Sequence, residues 1–157
     1  MEMNRFGIGP KFALLSVLYG TIILFLHYYF FSTLTFTLIS RWVNIILGSI
    51  LICIGFYLFI SSAITVHKHI NKEKLCTTGV YAYMRHPLYA SWIVLIIPGI
   101  VLIIGSIVAI SGPIFMYIIF RIFINEEDRY LKEKFGNHYL QYEKEVNAVF
   151  PKMYKRG

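Results

Sequence analysis

Long apolar runs alternate with short charged ones along this chain. Residues 12–31 hold no polar side chain beyond hydroxyls and His27. At 1.5 Å rise per residue, roughly 20 residues cross the ~30 Å hydrocarbon core of a bilayer, so this run predicts a first membrane-spanning helix. A short turn rich in threonine and serine follows, and Trp42 opens a second run to about residue 66. Two further runs, 88–104 and 106–124, are separated by Gly105-Ser106 with no charge between them, which predicts a tight helical hairpin. The third run is short and carries Pro98-Gly99, predicting a kink, with a re-entrant hairpin as the alternative to a full crossing.

The polar stretches fix the orientation. Residues 67–87 collect Lys68, Lys72, Glu73, Lys74 and Arg85, too much charge to sit in lipid. Residues 125–157 are charged and favour helix until Pro151, with Tyr130, Leu131 and Phe135 giving a partial apolar face. Four crossings put both termini and the 67–87 loop on one side. Of the 15 lysines and arginines, only Arg41 falls on the other side, so the positive-inside rule assigns both termini and the loop to the cytoplasm. The expected architecture is all-α: a single membrane domain over 1–157 with four transmembrane helices and a cytosolic C-terminal helix. Arg5 and Lys11 ahead of the first run imitate the start of a signal peptide. The run is long enough to span, however, and no small-residue cleavage pattern follows it, so it reads as a retained helix.

Composition narrows the class. With 57% hydrophobic residues and a mean hydropathy of +0.64, the chain is too apolar for an ordinary soluble fold. The net charge of +7 borders hydrophobic segments, which points to anionic lipid headgroups and away from nucleic acid. Two cysteines, Cys53 and Cys76, make no disulfide framework and read as free thiols. His67 and His69 are two apart and point to different helix faces with no acidic or thiol partner nearby in sequence, so no metal site is expected. His27 and His138 stand alone, and Tyr139 and Tyr142, three apart, have the spacing of helix packing.

Two clusters on the cytoplasmic face could carry chemistry. Arg85 and His86 precede Pro87, which suits the first turn of a helix, so free backbone amides and two side-chain donors meet where an anion is favoured. The plainer alternative has Arg85 on lipid phosphates and Tyr81, Tyr83 and Tyr89 in an interfacial aromatic belt. Glu126, Glu127 and Asp128 follow the last run, where mutual repulsion and the helix dipole both call for a compensating cation. Arg121, Arg129 or Lys132 could supply it along the same helix, and a ligand ammonium is the functional alternative. The hairpin returns the acids to the membrane level of Arg85-His86. A pocket between them would suit a zwitterionic amino acid attached to a flat heterocycle.

The set Gly79-Val80-Tyr81, Arg85-His86-Pro87-Leu88-Tyr89, an apolar hairpin, Glu126-Glu127, Phe135-Gly136 and Tyr139-Leu140-Gln141-Tyr142 resembles the isoprenylcysteine carboxyl methyltransferase family over about residues 75–151. The resemblance implies S-adenosylmethionine bound on the cytoplasmic side and a lipophilic acceptor entering laterally from the bilayer. It implies a cofactor site lined by Tyr81, His86, Pro87, Leu88, Tyr89 and Glu127, approached by the loop at Leu75 and Cys76; Arg85 and Glu126 join that candidate site from the two clusters, and Glu127 is also taken as catalytic. It further implies an arginine for the acceptor carboxylate. Phe123 and Ile124 occupy the places nearest the glutamates, so that role passes to Arg121. Methyl transfer from a sulfonium is an in-line displacement that requires alignment and desolvation and no covalent nucleophile. N-methylation of a phospholipid or other amine, and a non-enzymatic assembly subunit, are the alternatives.

Overall fold

The computed structural model describes residues 8–70 and 74–151, which leaves Arg5, Lys72, Glu73 and the last six residues outside the description. Its helices are α1 (Gly9–Phe30), α2 (Arg41–Ile70), α3 (Pro87–Ile104), α4 (Ser111–Phe135) and α5 (Asn137–Glu145). Short 3-10 turns lie at Gly79–Ala82 and Val108–Ile110. The fold is all-α, and among the described residues four helices are long and apolar enough to cross a membrane.

In α3 the middle segment Ser91–Ile96 is wound as a π-helix, and the Ile97 N–H reaches back to the Trp92 carbonyl. Pro98 follows directly. It has no N–H to donate, and its ring crowds the carbonyl four residues back, so the wider turn just before it takes up the misfit that the sequence signalled as a kink. Glycines let α2 and α3 pack backbone to backbone. A Cβ on Gly48 would lie 2.5 Å from the Gly99 carbonyl oxygen, and one on Gly99 would lie 2.7 Å from that of Gly48. Close approach of this kind maximises dispersion contact where lipid removes the hydrophobic drive between helices. On the opposite side of the hairpin, α1 packs on α4 through the stacked rings of Tyr19 and Phe115, 3.8 Å between centroids.

The Gly105-Ser106 turn is held from outside. Gly105 adopts φ +70°, a left-handed conformation that glycine takes without penalty. Its carbonyl accepts from Phe36 N at 2.7 Å, while Ile107 N donates to the Leu34 carbonyl at 3.1 Å. Buried His27 pairs with the Ser106 hydroxyl at 3.0 Å, and buried Asn44 accepts from Leu38 N at 2.9 Å. The turn between α1 and α2 thus docks on the hairpin turn and satisfies polar groups that lipid could not.

The last long helix differs from its sequence reading in extent. The apolar run ends at residue 124, yet α4 continues unbroken to Phe135, because the charged stretch is built of good helix formers. Gly136, at φ +53°, ends it. Glu126, Glu127 and Asp128 therefore sit inside a rigid helix, and their directions are set by the phase of α4.

Candidate active site

The phase of α4 sorts the three acids. Met116, Phe120, Ile124 and Asp128 recur every four residues and are all buried, forming the stripe that faces the rest of the protein. Glu127 flanks this stripe, with its side chain 18% exposed, while Glu126 turns outward. Each acid finds its partner on another element. Glu126 takes Lys11 of α1 at 3.2 Å, Glu127 takes Tyr89 of α3, and Asp128 takes Arg85 and His86. The same-helix compensation that sequence spacing offered is not what these contacts use.

Asp128 is the hub. His86 Nε2–H donates to its Oδ1 at 3.0 Å and Arg85 Nη1 donates to its Oδ2 at 3.1 Å. The Tyr139 hydroxyl donates to Oδ1 as well, and accepts in turn from Arg85 Nη1 at 2.9 Å. Arg85 also reaches Glu143 at 3.4 Å and, through Nε, the Val146 carbonyl at 3.1 Å. The chain after α5 runs alongside residues 84–86, with Arg85 N and His86 N donating to the carbonyls of Asn147 and Ala148 at 2.8 and 2.9 Å. One guanidinium thus ties together the start of α3, α4, α5 and the segment beyond α5.

His86, 4% exposed, lies between two carboxylates, since its Nδ1 is 3.6 Å from Glu127 Oε1. Burial would push the imidazole towards its neutral form. The hydrogen bond to Asp128 and the charges of both neighbouring carboxylates outweigh burial and raise its pKa. With both ring nitrogens facing acceptors, the imidazolium has no lone pair with which to take a proton. Glu127 is fixed from the other side by the Tyr89 hydroxyl, which donates to Oε2 at 2.9 Å, and by Ile8 N at 3.4 Å.

A cleft of about 610 Å³ opens beside this network, between the loop following α2 and helix α5, lined by Leu75, Thr77, Phe135, His138, Gln141 and Tyr142 among others. Buried Tyr81 links the cleft to the acids: Tyr142, on the cleft wall, donates to the Tyr81 carbonyl at 2.6 Å. Burial first, then the nearby Cys76 and Glu127, raises the Tyr81 hydroxyl pKa well above its ordinary value and keeps it protonated. Burial also pushes the Cys76 thiol up to about 11, in keeping with a packed, unreactive cysteine. His69 donates through Nδ1 to the Thr65 carbonyl at 2.9 Å and faces the Thr78 hydroxyl through Nε2 at 3.3 Å.

The residues singled out from sequence therefore distribute as follows. His86, Tyr89 and Glu127 converge directly; Pro87 and Leu88 form the helical start beneath them; Leu75 lines the cleft, Cys76 is buried, and buried Tyr81 is tied to the cleft wall through Tyr142. Arg85 is engaged in bracing Asp128, and Glu126 lies at the rim with Lys11. Arg121 is exposed and stands off the buried stripe of α4, about 9 Å along the axis from Glu127 at 1.5 Å per residue. Sequence reasoning passed over Asp128 as a site residue and gave Tyr139 only a packing role. Continuing the four-residue stripe from Met116 past the end of the apolar run would have found Asp128.

Comparison with known proteins adds the following. The family model described as the isoprenylcysteine carboxyl methyltransferase (ICMT) family matches residues 42–133, from the start of α2 nearly to the end of α4. Among curated proteins, protein-S-isoprenylcysteine O-methyltransferase B of Arabidopsis thaliana is 33% identical over 82 residues, covering 50% of this chain and 40% of that protein. The Schizosaccharomyces pombe protein-S-isoprenylcysteine O-methyltransferase is 33% identical over 112 residues, covering 64% and 46%. The Homo sapiens enzyme of that name is 32% identical over 81 residues, covering 52% and 28%. The chain thus spans less than half the length of these relatives. Among solved structures, the eukaryotic intramembrane Ras methyltransferase ICMT superposes with a TM-score of 0.68 at 23% identity, over 95% of this chain and 54% of that one, a likeness of fold. With its four long apolar helices and a family match across well over half its length, the chain is an integral membrane protein belonging to the isoprenylcysteine carboxyl methyltransferase family.

Proposed function

We propose that this chain is a membrane methyltransferase that transfers the methyl group of S-adenosylmethionine to the carboxylate of an isoprenylcysteine-like or other lipophilic acceptor, at the cytoplasmic face of its membrane. The observation that carries the proposal is the convergence of His86, Tyr89 and Glu127 at one end of the α3–α4 hairpin, within the stretch shared with the family. The donor set suits such a cofactor. Glu127 offers a carboxylate to its ammonium and sulfonium charges, Phe135 and Tyr142 give the neighbouring cleft an aromatic wall, and that cleft falls within the ~300–1,000 Å³ range of small-molecule sites. When bound, S-adenosylmethionine supplies a methyl carbon whose bond to sulfur breaks as a nucleophilic oxygen attacks in line.

The protein's own part is alignment. Glu127 anchors the donor's cationic end, Tyr89 and His86 hold that carboxylate in place, and Arg85 enters through the brace it forms on Asp128. His86, hydrogen-bonded to Asp128 through Nε2 and facing the Glu127 carboxylate through Nδ1, is unsuited to general-base work. This favours an acceptor that is already ionised over an amine that must first lose a proton. Arg121, outside the buried stripe, is the candidate for the acceptor's carboxylate. The excess of basic residues on one side favours a cytoplasmic site and cytoplasmic termini.

The test is to incubate membranes containing the protein with methyl-labelled S-adenosylmethionine and separate the products by their stability to mild alkali. Alkali-labile label, strongly reduced in Glu127→Gln and His86→Ala as donor binding weakens, is expected. Base-stable label in lipid would replace the reading with amine N-methylation. Absence of both label and calorimetric donor binding would leave an assembly subunit.

A further inference from the structure

The match to the family model begins at residue 42, so α1 lies outside it, yet the first turn of α1 touches the site. Ile8, the residue preceding α1, is 2% exposed and directs its backbone N–H to Glu127 Oε2. Phe12, one turn on and 5% exposed, packs edge-on against Tyr89 with ring centroids 5.3 Å apart, and Tyr89 is the other donor to that same oxygen. Lys11 lies between them in sequence and takes Glu126 at 3.2 Å. Ile8 and Phe12 share one buried apolar cluster with Phe120 and Ile124 of α4 and Val149 beyond α5, so this end of α1 is seated firmly.

We infer that the first turn of α1 is a working part of the site, in which the Ile8 N–H is a positioning group that orients the Glu127 carboxylate for the methyl donor. Two donors converge on Oε2, and this turns Oε1 towards His86. The positive end of the 22-residue helix dipole adds to the hold on the carboxylate. Side-chain chemistry at position 8 is irrelevant to this role; the backbone N–H is what matters. The inference rests on the reading of Glu127 as the donor's anchor.

A proline at position 8 removes the N–H, and the observed φ of −81° is within its reach. Ile8→Ala keeps the N–H and loses the side chain, so the difference between the two variants isolates the hydrogen bond. The expected result is a donor dissociation constant about five- to tenfold weaker in Ile8→Pro than in Ile8→Ala, somewhat below the usual effect of a bond to a charged group because the contact is long. In a Glu127→Gln background that difference should shrink to about twofold or less, since residues acting through one contact are not additive. Equal affinities for the proline and alanine variants, or an undiminished difference in the Glu127→Gln background, would overturn the inference. The same cycle is also read on thermal unfolding of the purified protein. Coupling there, in a parent protein that binds no S-adenosylmethionine, upholds the Ile8–Glu127 contact and overturns the donor-positioning role together with the donor reading. Donor binding without any coupling overturns this inference and leaves the donor reading of Glu127 standing.

Discussion

Replacing Asp128 with asparagine tests whether the polar network is the structural hub described above. Asp128 and Arg85 have side chains only 12% and 11% exposed, and His86 3%, so removing the negative charge takes the nearest counter-charge from two cationic groups in a dry environment and leaves them only the longer contacts to Glu143 and Glu127, at 3.4 and 3.6 Å. Breaking a buried ion pair from one side costs about 3–5 kcal/mol. The asparagine oxygen can still accept one of the three donors that converge on the carboxylate, which places the expectation near the lower end, about 3 kcal/mol. For a chain of 157 residues at ~2–4 °C per kcal/mol, the unfolding midpoint should fall by about 10 °C. Intrinsic fluorescence of Trp42 and Trp92 during a thermal ramp of detergent-solubilised protein reads the shift. Glu126→Gln is the matched control: its partner Lys11 is 61% exposed and the carboxylate 45%, a surface pair worth about 0–1 kcal/mol. If Asp128→Asn and Glu126→Gln melt within ~3 °C of each other, the network does not brace the fold and the reasoning from burial is refuted.

Other outcomes follow from the same contacts. Gly99→Ala should destabilise by about 1–3 kcal/mol through collision with the Gly48 carbonyl, seen as a lower unfolding midpoint; an unchanged midpoint would contradict the close α2–α3 packing. His86 is held charged more strongly in the folded chain than in the unfolded one. Its contribution is therefore full below the ordinary imidazole value of 6.5 and is lost as pH rises through the raised folded value. Midpoints measured across that window should decline with rising pH in the parent and lose this component in His86→Gln. Cys76, its thiol pushed up to about 11, should resist alkylation at pH 8 in the folded protein and react on unfolding; prompt labelling of the folded chain at this position would count against its burial.

Much of this architecture could be read from one dimension. Run length against bilayer thickness fixes the number of apolar helices, the uncharged Gly105-Ser106 step fixes a hairpin, and a hairpin must return its two ends to one level, which brings His86 to Glu127. These inferences depend only on local chemistry and helical rise. Choosing among adjacent acids is a different kind of question. Glu126, Glu127 and Asp128 carry the same charge in sequence, and a step of 100° around α4 makes one a rim residue, one a carboxylate flanking the site and one the buried hub. That assignment follows from which face of α4 the other elements cover. The engagement of Arg85 with α4, α5 and the segment beyond, and the arrival of the first turn of α1 at Glu127, join residues 43 to 119 positions apart. Burial there excludes water, so each charge must find its counter-charge in the protein, and only the packed helices determine which one it meets.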